Sequence, residues 1–305
     1  MTAMIDVIIP AYNAAPFIEK TLGSLLDQDN LISKVIVVND GSTDQTAKLV
    51  EAFAKEHPNL SIELIYQQNA GLSAARNTGI AHSKAQYVAL LDADDLWLAH
   101  KLAKQLEIFQ SSPSSQLALV YCAYQLIDQT GSVLPPKEQA VIAPTLRGNA
   151  YPALLRGNFI SGSGSSVLIK RTALDAVGYF DEGLKACEDW DMWLRLARHY
   201  VFDFVDHTLV QIRVHSNNMQ KDLLRMVGAE LMVLNKFSQQ GESNPFLLWK
   251  LRTYLLNKGV SARTITGFDK CTPELQAQLT GWRMDLASAL LSPARMLANI
   301  YLKNK

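Results

Sequence analysis

Three carboxylates fall within four residues where the apolar run "ALLDADDLW" (89–97) is interrupted by Asp92, Asp94 and Asp95. Like charges this close repel wherever water is partly excluded, so the cluster either sits in water or faces a cation. Asp92-x-Asp94 suits a hard divalent ion, which takes oxygen ligands, often one or two carboxylates completed by water and substrate phosphates. The competing reading is a solvated turn or a helix cap. A second acidic group, Glu188, Asp189 and Asp191, opens a segment of helical period at 188–200. Negative charge in a first helical turn is favoured by the helix dipole alone and needs no catalytic purpose. Arg76 lies in an otherwise small, apolar helical stretch and requires a partner, for which the strand-end carboxylates are the candidates.

The elements that must position these residues follow a βαβα rhythm. Short apolar runs at 5–10, 34–38, 61–66 and 87–92 read as strands buried on both faces of a parallel sheet. Helical patterns lie between them at 16–27, 44–57 and 69–83. Right-handed crossovers then place a ligand crevice at the carboxyl ends of the strands. Three segments deliver polar groups to that rim: Pro10-Ala11-Tyr12-Asn13, Asn39-Asp40-Gly41-Ser42 and Asp92–Asp95. Beyond 115 the pattern predicts strands at 117–128 and 203–214, an irregular stretch at 135–150 and a glycine-rich approach to a strand at 159–171. The remainder is mostly helical, including 245–256 and 282–303.

Composition narrows the partner. The 305 residues carry 29 Lys and Arg against 29 Asp and Glu, so no excess of basic charge points to nucleic acid, and a small-molecule ligand fits better. Three widely spaced cysteines, Cys122, Cys187 and Cys271, suit buried thiols in a reducing compartment. The start "MTAMIDVIIPAYN" lacks a basic signal region, and no window has the apolar length of a membrane span, so the expectation is a cytoplasmic protein. Arg283, Arg295, Lys303 and Lys305 beside Leu286, Leu290 and Leu297 could lie on a membrane surface, although packing on the main domain is favoured.

Six ordered phrases, "VIIPAYNAAPFIEKTLGSLLDQ", "VIVVNDGSTDQT", "NAGLSAARNTGI", "YVALLDADD", "GYFDEGL" and "EDWDMWLRLA", together resemble the inverting family 2 glycosyltransferases over roughly residues 4–215. The resemblance implies an α/β GT-A fold, a Rossmann-like sheet flanked by helices, over 1–218, with a helical extension over 219–305. It implies transfer from a nucleotide sugar, a UDP-sugar foremost, to a glycan or lipid-linked glycan of a surface polysaccharide, with Mn2+ or Mg2+. Tyr12 would then stack on the base, with Pro10 and Asn13 beside it, rather than merely close a strand end. Asp40 would accept from the base rather than cap the next helix, a task open to Ser42, Thr43 or Asp44. Arg76 would contact the base and orient Asp40, or form a structural ion pair. Asp92 would bind the ribose and Asp94 the metal, Asp95 could share either task, and His215 could ligate the metal or donate to a phosphate. Asp189 would be the general base, with Glu188 orienting it or the acceptor and Asp191 second in line.

Two rivals remain at this level. A sugar nucleotidyltransferase needs a basic glycine-rich loop after the first strand, where this chain has "PAYNAAPFIEK". A non-catalytic nucleotide-sugar binder would lack some of Asp92, Asp94 and Asp189, and all three are present. A dinucleotide oxidoreductase is excluded by the absence of G-x-G-x-x-G in the first turn.

Overall fold

The computed structural model describes residues 4–28, 30–135, 141–160, 163–215, 223–238, 265 and 268–280. The chain forms two compact units, Met1–Lys221 and Asp222–Lys305.

In the first unit, β1 (Ile5–Ala11) is buried along its whole length. Its β-branched residues suit a strand covered on both faces. It lies between β2 (Ile32–Asp40) and β4 (Tyr87–Leu90), parallel to both. β3 (Ile62–Gln67) pairs parallel with β2 but is only half-buried, against the expectation for 61–66. The reason is position: the sheet runs β3-β2-β1-β4, and β3 is its edge.

The helices of this half are α1 (Ile18–Gly23), α2 (Thr46–Glu56) and α3 (Leu72–His82). α1 is shorter than the 16–27 pattern predicts, because the chain continues through turns after Gly23. α3 approaches β1 so closely that a Cβ at Gly79 would collide with the Ile8 side chain.

The sheet continues with a change of direction that no apolar pattern indicates. Beyond β4 come β8 (Leu168–Lys170), β6 (Leu117–Ile127), β9 (Val201–Arg213) and the two-residue β5 (Leu96–Trp97). β8 runs antiparallel to both β4 and β6, whereas β6 and β9 are parallel. β7 (Val141–Ile142) pairs with β6. α4 (Lys101–Ser111), α5 (Tyr151–Leu154), α6 (Arg171–Val177) and α7 (Glu188–Ala197) complete this unit. Strand β4 stops at Leu90, two residues short of the apolar run, so Asp92–Asp95 stand in the loop outside the sheet.

α4 carries a fully buried cation. Lys101 Nζ lies 4.0 Å from the Trp97 ring centroid and donates to Gln105 Oε1 at 2.9 Å, and burial pulls its pKa down to about 8. Between about pH 8 and the ordinary lysine value the unfolded chain holds a proton that the folded chain lacks, so this group makes stability rise with pH across that window. Lys101→Met is expected to remove the rise and to stabilise the protein near neutral pH by on the order of 1–3 kcal/mol, read as denaturant midpoints at pH 7 and pH 10.

In the second unit, α8 (Leu223–Ser238) and α9 (Pro273–Thr280) bury Leu231, Leu234, Phe237, Leu275 and Leu279. Asn235 accepts from the Thr272 backbone N–H at 2.9 Å, joining α8 to the start of α9. The expected helices at 245–256 and 282–303, with their basic and apolar side chains, lie outside the described residues. Among the described residues no helix is long and apolar enough to cross a membrane.

Candidate active site

The acidic loop after β4 is held by a network that divides its three aspartates. Asp95 is buried: its Oδ2 accepts from Ser165 Oγ at 2.6 Å and its Oδ1 from the Arg213 backbone N–H at 3.0 Å. Burial, joined by the charges of Asp94 and Asp92, pushes its pKa well above the ordinary carboxylate range. With a hydrogen bond to each oxygen, Asp95 anchors the loop. Ser165 Oγ also accepts from the Asp92 backbone N–H at 3.0 Å, so one hydroxyl ties both ends of the loop.

Asp94 remains partly open, at 27 % side-chain exposure, and its Oδ2 lies 2.8 Å from His215 Nε2. Its pKa is raised by burial and by Asp92, with His215 opposing. The His215 ring stacks on Phe17 at 5.1 Å, and Arg213 fixes the loop backbone by donating from Nε to the Asp94 carbonyl at 2.8 Å. Asp94 and His215 offer a divalent cation one carboxylate oxygen and one imidazole nitrogen, a donor set that Mn2+ accepts when water and phosphate complete the shell. Among the described residues no three His, Cys, Asp or Glu groups converge as a ready metal cage.

Arg76 supplies the second organising contact. Fully buried on the small-residue face of α3, it donates from Nη2 to Asp92 Oδ1 at 2.8 Å and from Nη1 to Glu188 Oε1 at 2.7 Å. Burial disfavours its charge, but Asp92 and Glu188 together outweigh that and hold it more firmly protonated than usual. The structural ion pair is therefore the observed arrangement, and the guanidinium is committed to these two carboxylates rather than to Asp40. The bridge joins the loop after β4 to the start of α7, residues 112 apart in the case of Arg76 and Glu188.

The chain enters α7 through Cys187, whose φ of 56° is left-handed. Glu188 turns inward to Arg76, while Asp189 accepts from its neighbour's backbone N–H, Trp190, at 2.7 Å and from Asn158 Nδ2 at 3.1 Å. Burial and the adjacent Glu188 charge push Asp189 up to about 7, with Arg76 opposing. Asp191 faces the other way, paired with Arg195 at 2.9 Å. Trp190 packs in the core and donates to the Leu154 carbonyl at 2.8 Å, so it forms part of the helix's footing.

At the other end of the rim, Tyr12 is 54 % exposed. Pro10 is buried in β1, and Asn13, with φ of 50°, accepts from the Thr43 N–H at 2.8 Å, tying the loops after β1 and β2 together. Asp40 accepts from Gln67 Nε2, Ala70 N and Gly71 N at 2.7, 2.8 and 2.9 Å. It thus holds the entry to α3 rather than that of α2, where Asp44 accepts from the Thr46 N–H at 2.9 Å.

Sequence reasoning did not single out Ser165, Asn158 or Phe17. The signal for Ser165 was present in "SGSGSS": a Cβ at Gly164 would come within 2.8 Å of Leu90 Cβ, so the turn needs glycine to reach the acidic loop. Ser165 thereby reaches the acidic loop and anchors it.

The glycosyl transferase family 2 model matches residues 6–178. The chain belongs to this family. A putative teichuronic acid biosynthesis glycosyltransferase of Bacillus subtilis, TuaG, is 34% identical over 220 residues, covering 72% of this chain and 82% of that one. Glycosyltransferases of Rickettsia species are 27% to 31% identical, and this chain spans between 34% and 64% of their lengths. Among solved structures, Staphylococcus aureus TarS 1-349 in complex with UDP-GlcNAc aligns with a TM-score of 0.61 at 20% identity, covering 90% of this chain and 78% of that one. The mannosyltransferase PcManGT of Pyrobaculum calidifontis in complex with GDP-Man and Mn2+ aligns with a TM-score of 0.61 at 22% identity, covering 97% and 83%. The curled, helix-flanked sheet is the GT-A fold of these glycosyltransferases.

Proposed function

We propose that this glycosyltransferase moves one sugar from a nucleoside diphosphate sugar, a UDP-sugar in the first instance, to a hydroxyl of a glycan or lipid-linked glycan, in a single displacement that inverts the anomeric centre. The observation that carries the reading is the division of labour at the Arg76 bridge. Glu188 is paired with Arg76, Asp191 with Arg195, and Asp189, held by Asn158, has its pKa pushed up to about 7. A sugar hydroxyl is a weak nucleophile, and a carboxylate titrating near the working pH is suited to take its proton as the new bond forms.

On the donor side, Tyr12 offers an exposed ring for base stacking. Asp40 already accepts three hydrogen bonds, leaving about one acceptor site for a base N–H. Asp92 keeps Oδ2 for the ribose while Arg76 holds Oδ1. Asp94 and His215 would hold Mn2+ or Mg2+, which when bound neutralises charge on the departing diphosphate. Residues 1–218 would carry the transfer and 219–305 form an appended helical part, a division supported by the unit boundary after Lys221. The name of TuaG, a putative teichuronic acid biosynthesis glycosyltransferase, supports a role in surface polysaccharide assembly.

The test is release of nucleoside diphosphate from UDP-, GDP- and dTDP-sugars with Mn2+ or Mg2+, in the wild type and in Asp94→Asn. Metal-dependent release from one donor, reduced about 100-fold or more in the variant, is the expected result. Donor binding without turnover for every sugar, with mixed glycan acceptors supplied, would instead indicate a binding protein. His215→Ala is expected to weaken Mn2+ binding about 10- to 100-fold while leaving nucleotide binding without metal unchanged, as read by titration calorimetry.

A further inference from the structure

One side chain away from Asp189, the fold forms an open cleft of about 330 Å³ whose walls include Leu146, Ala153, Arg156, Asn158 and Phe159. This is a small ligand pocket by size, with room for a sugar ring and a substituent. Asn158 belongs both to this wall and to the proposed base, since its Nδ2 donates to Asp189 Oδ2 at 3.1 Å. A ligand seated in the cleft therefore lies against a residue that touches the proton-accepting carboxylate.

Among the described residues of the wall, Arg156 is the only charged group. Other arginines of this unit are engaged: Arg147 with Asp203, Arg171 with Asp175, Arg195 with Asp191 and Arg198 with the Tyr151 hydroxyl. The exposed Arg156 side chain has no hydrogen-bond or ion-pair partner among the described residues. A planar guanidinium set in an apolar wall suits a carboxylate or phosphate oxygen pair, to which it can donate two parallel hydrogen bonds.

We propose that this cleft is the acceptor subsite and that Arg156 selects an acceptor sugar bearing an anionic group, carboxylate or phosphate. The inference rests on the transferase reading above, because it takes Asp189 as the group that faces the acceptor. Binding would bring the attacking hydroxyl to Asp189 while the anionic substituent points to Arg156.

The experiment measures binding of p-nitrophenyl β-glucoside, p-nitrophenyl β-glucuronide and p-nitrophenyl β-glucoside 6-phosphate to the full chain, with UDP and Mn2+ present, by titration calorimetry. At least one anionic probe is expected to bind roughly 10- to 100-fold more tightly than the neutral glucoside, and Arg156→Gln is expected to abolish that preference while leaving UDP binding intact. The tighter of the two anionic probes tells carboxylate from phosphate. Equal binding of all three, no binding of either anionic probe, or an unchanged preference in Arg156→Gln would overturn the assignment. Failure of the wild-type chain to bind any of UDP, GDP and dTDP with Mn2+ would count against the transferase reading itself, and so is distinguishable from these outcomes.

Discussion

Replacing Asp189 by Asn is expected to lower kcat by about 100- to 10,000-fold with little change in donor affinity, because in the proposed mechanism the acceptor hydroxyl loses the group that takes its proton. In the wild type the same group sets the pH profile. With Asp189 at about 7, kcat/KM should rise with pH through neutrality and level off about one unit above. The stability effect has the opposite sign. Since the folded-state pKa lies above the ordinary aspartate value, the favourable contribution of this group is complete below that value and is lost as pH rises through about 7. At pH 8 the folded wild type therefore holds an unfavourable buried charge that the amide lacks. Asp189→Asn should raise Tm at pH 8 relative to the wild type and change it much less at pH 4. A variant with low kcat and unchanged pH dependence of the residual rate would remove Asp189 from the base role.

Arg76→Met is expected to cost about 3–5 kcal/mol of stability, since it strands two carboxylates, Asp92 and Glu188, beside a side chain that cannot donate to either. Urea unfolding at pH 7 measures the loss. Arg76→Lys should recover only part of it, because one ammonium cannot reproduce two fixed guanidinium bonds to carboxylates on different elements. Adding Glu188→Gln to Arg76→Met should also restore stability in part by removing one of the stranded charges. A purely structural role predicts these effects and nothing more. The bridge makes one further demand: the Arg76 charge opposes the upward shift of Asp189, so an Arg76→Met enzyme that remains folded should have its pH profile displaced to the alkaline side, and Arg76→Lys, which keeps the charge, should displace it less. An unshifted profile would separate the bridge from the chemistry.

The pairing of these carboxylates shows where local pattern stops being informative. The apolar runs around β1, β2 and β4 are legible because burial on both faces demands uninterrupted β-branched residues over a short span. The same rule misjudges β3, whose run is similar although it closes the sheet as an edge. Nor does any local signal reveal that β8 enters between β4 and β6 antiparallel to both, since strand order depends on partners far away in the chain.

The site follows the same division. Asp92, Asp94, Asp189 and His215 could be picked out because carboxylates and imidazole at strand and helix ends are costly to place without water, a charge or a ligand nearby, and their phrases carry the family resemblance. The sequence by itself thus determined the α/β rhythm, the acidic groups available for chemistry and the family. Only the tertiary structure decided which carboxylate does what: Ser165 and the Arg213 backbone take Asp95, Arg195 takes Asp191, and Arg76 takes Asp92 and Glu188. Asp189 is left with Asn158 and the Trp190 backbone N–H. The physical reason is that a carboxylate's role is set by the donors within about 3 Å of its oxygens, and here those donors come from elements separated by tens of residues, brought together by packing rather than by local preference.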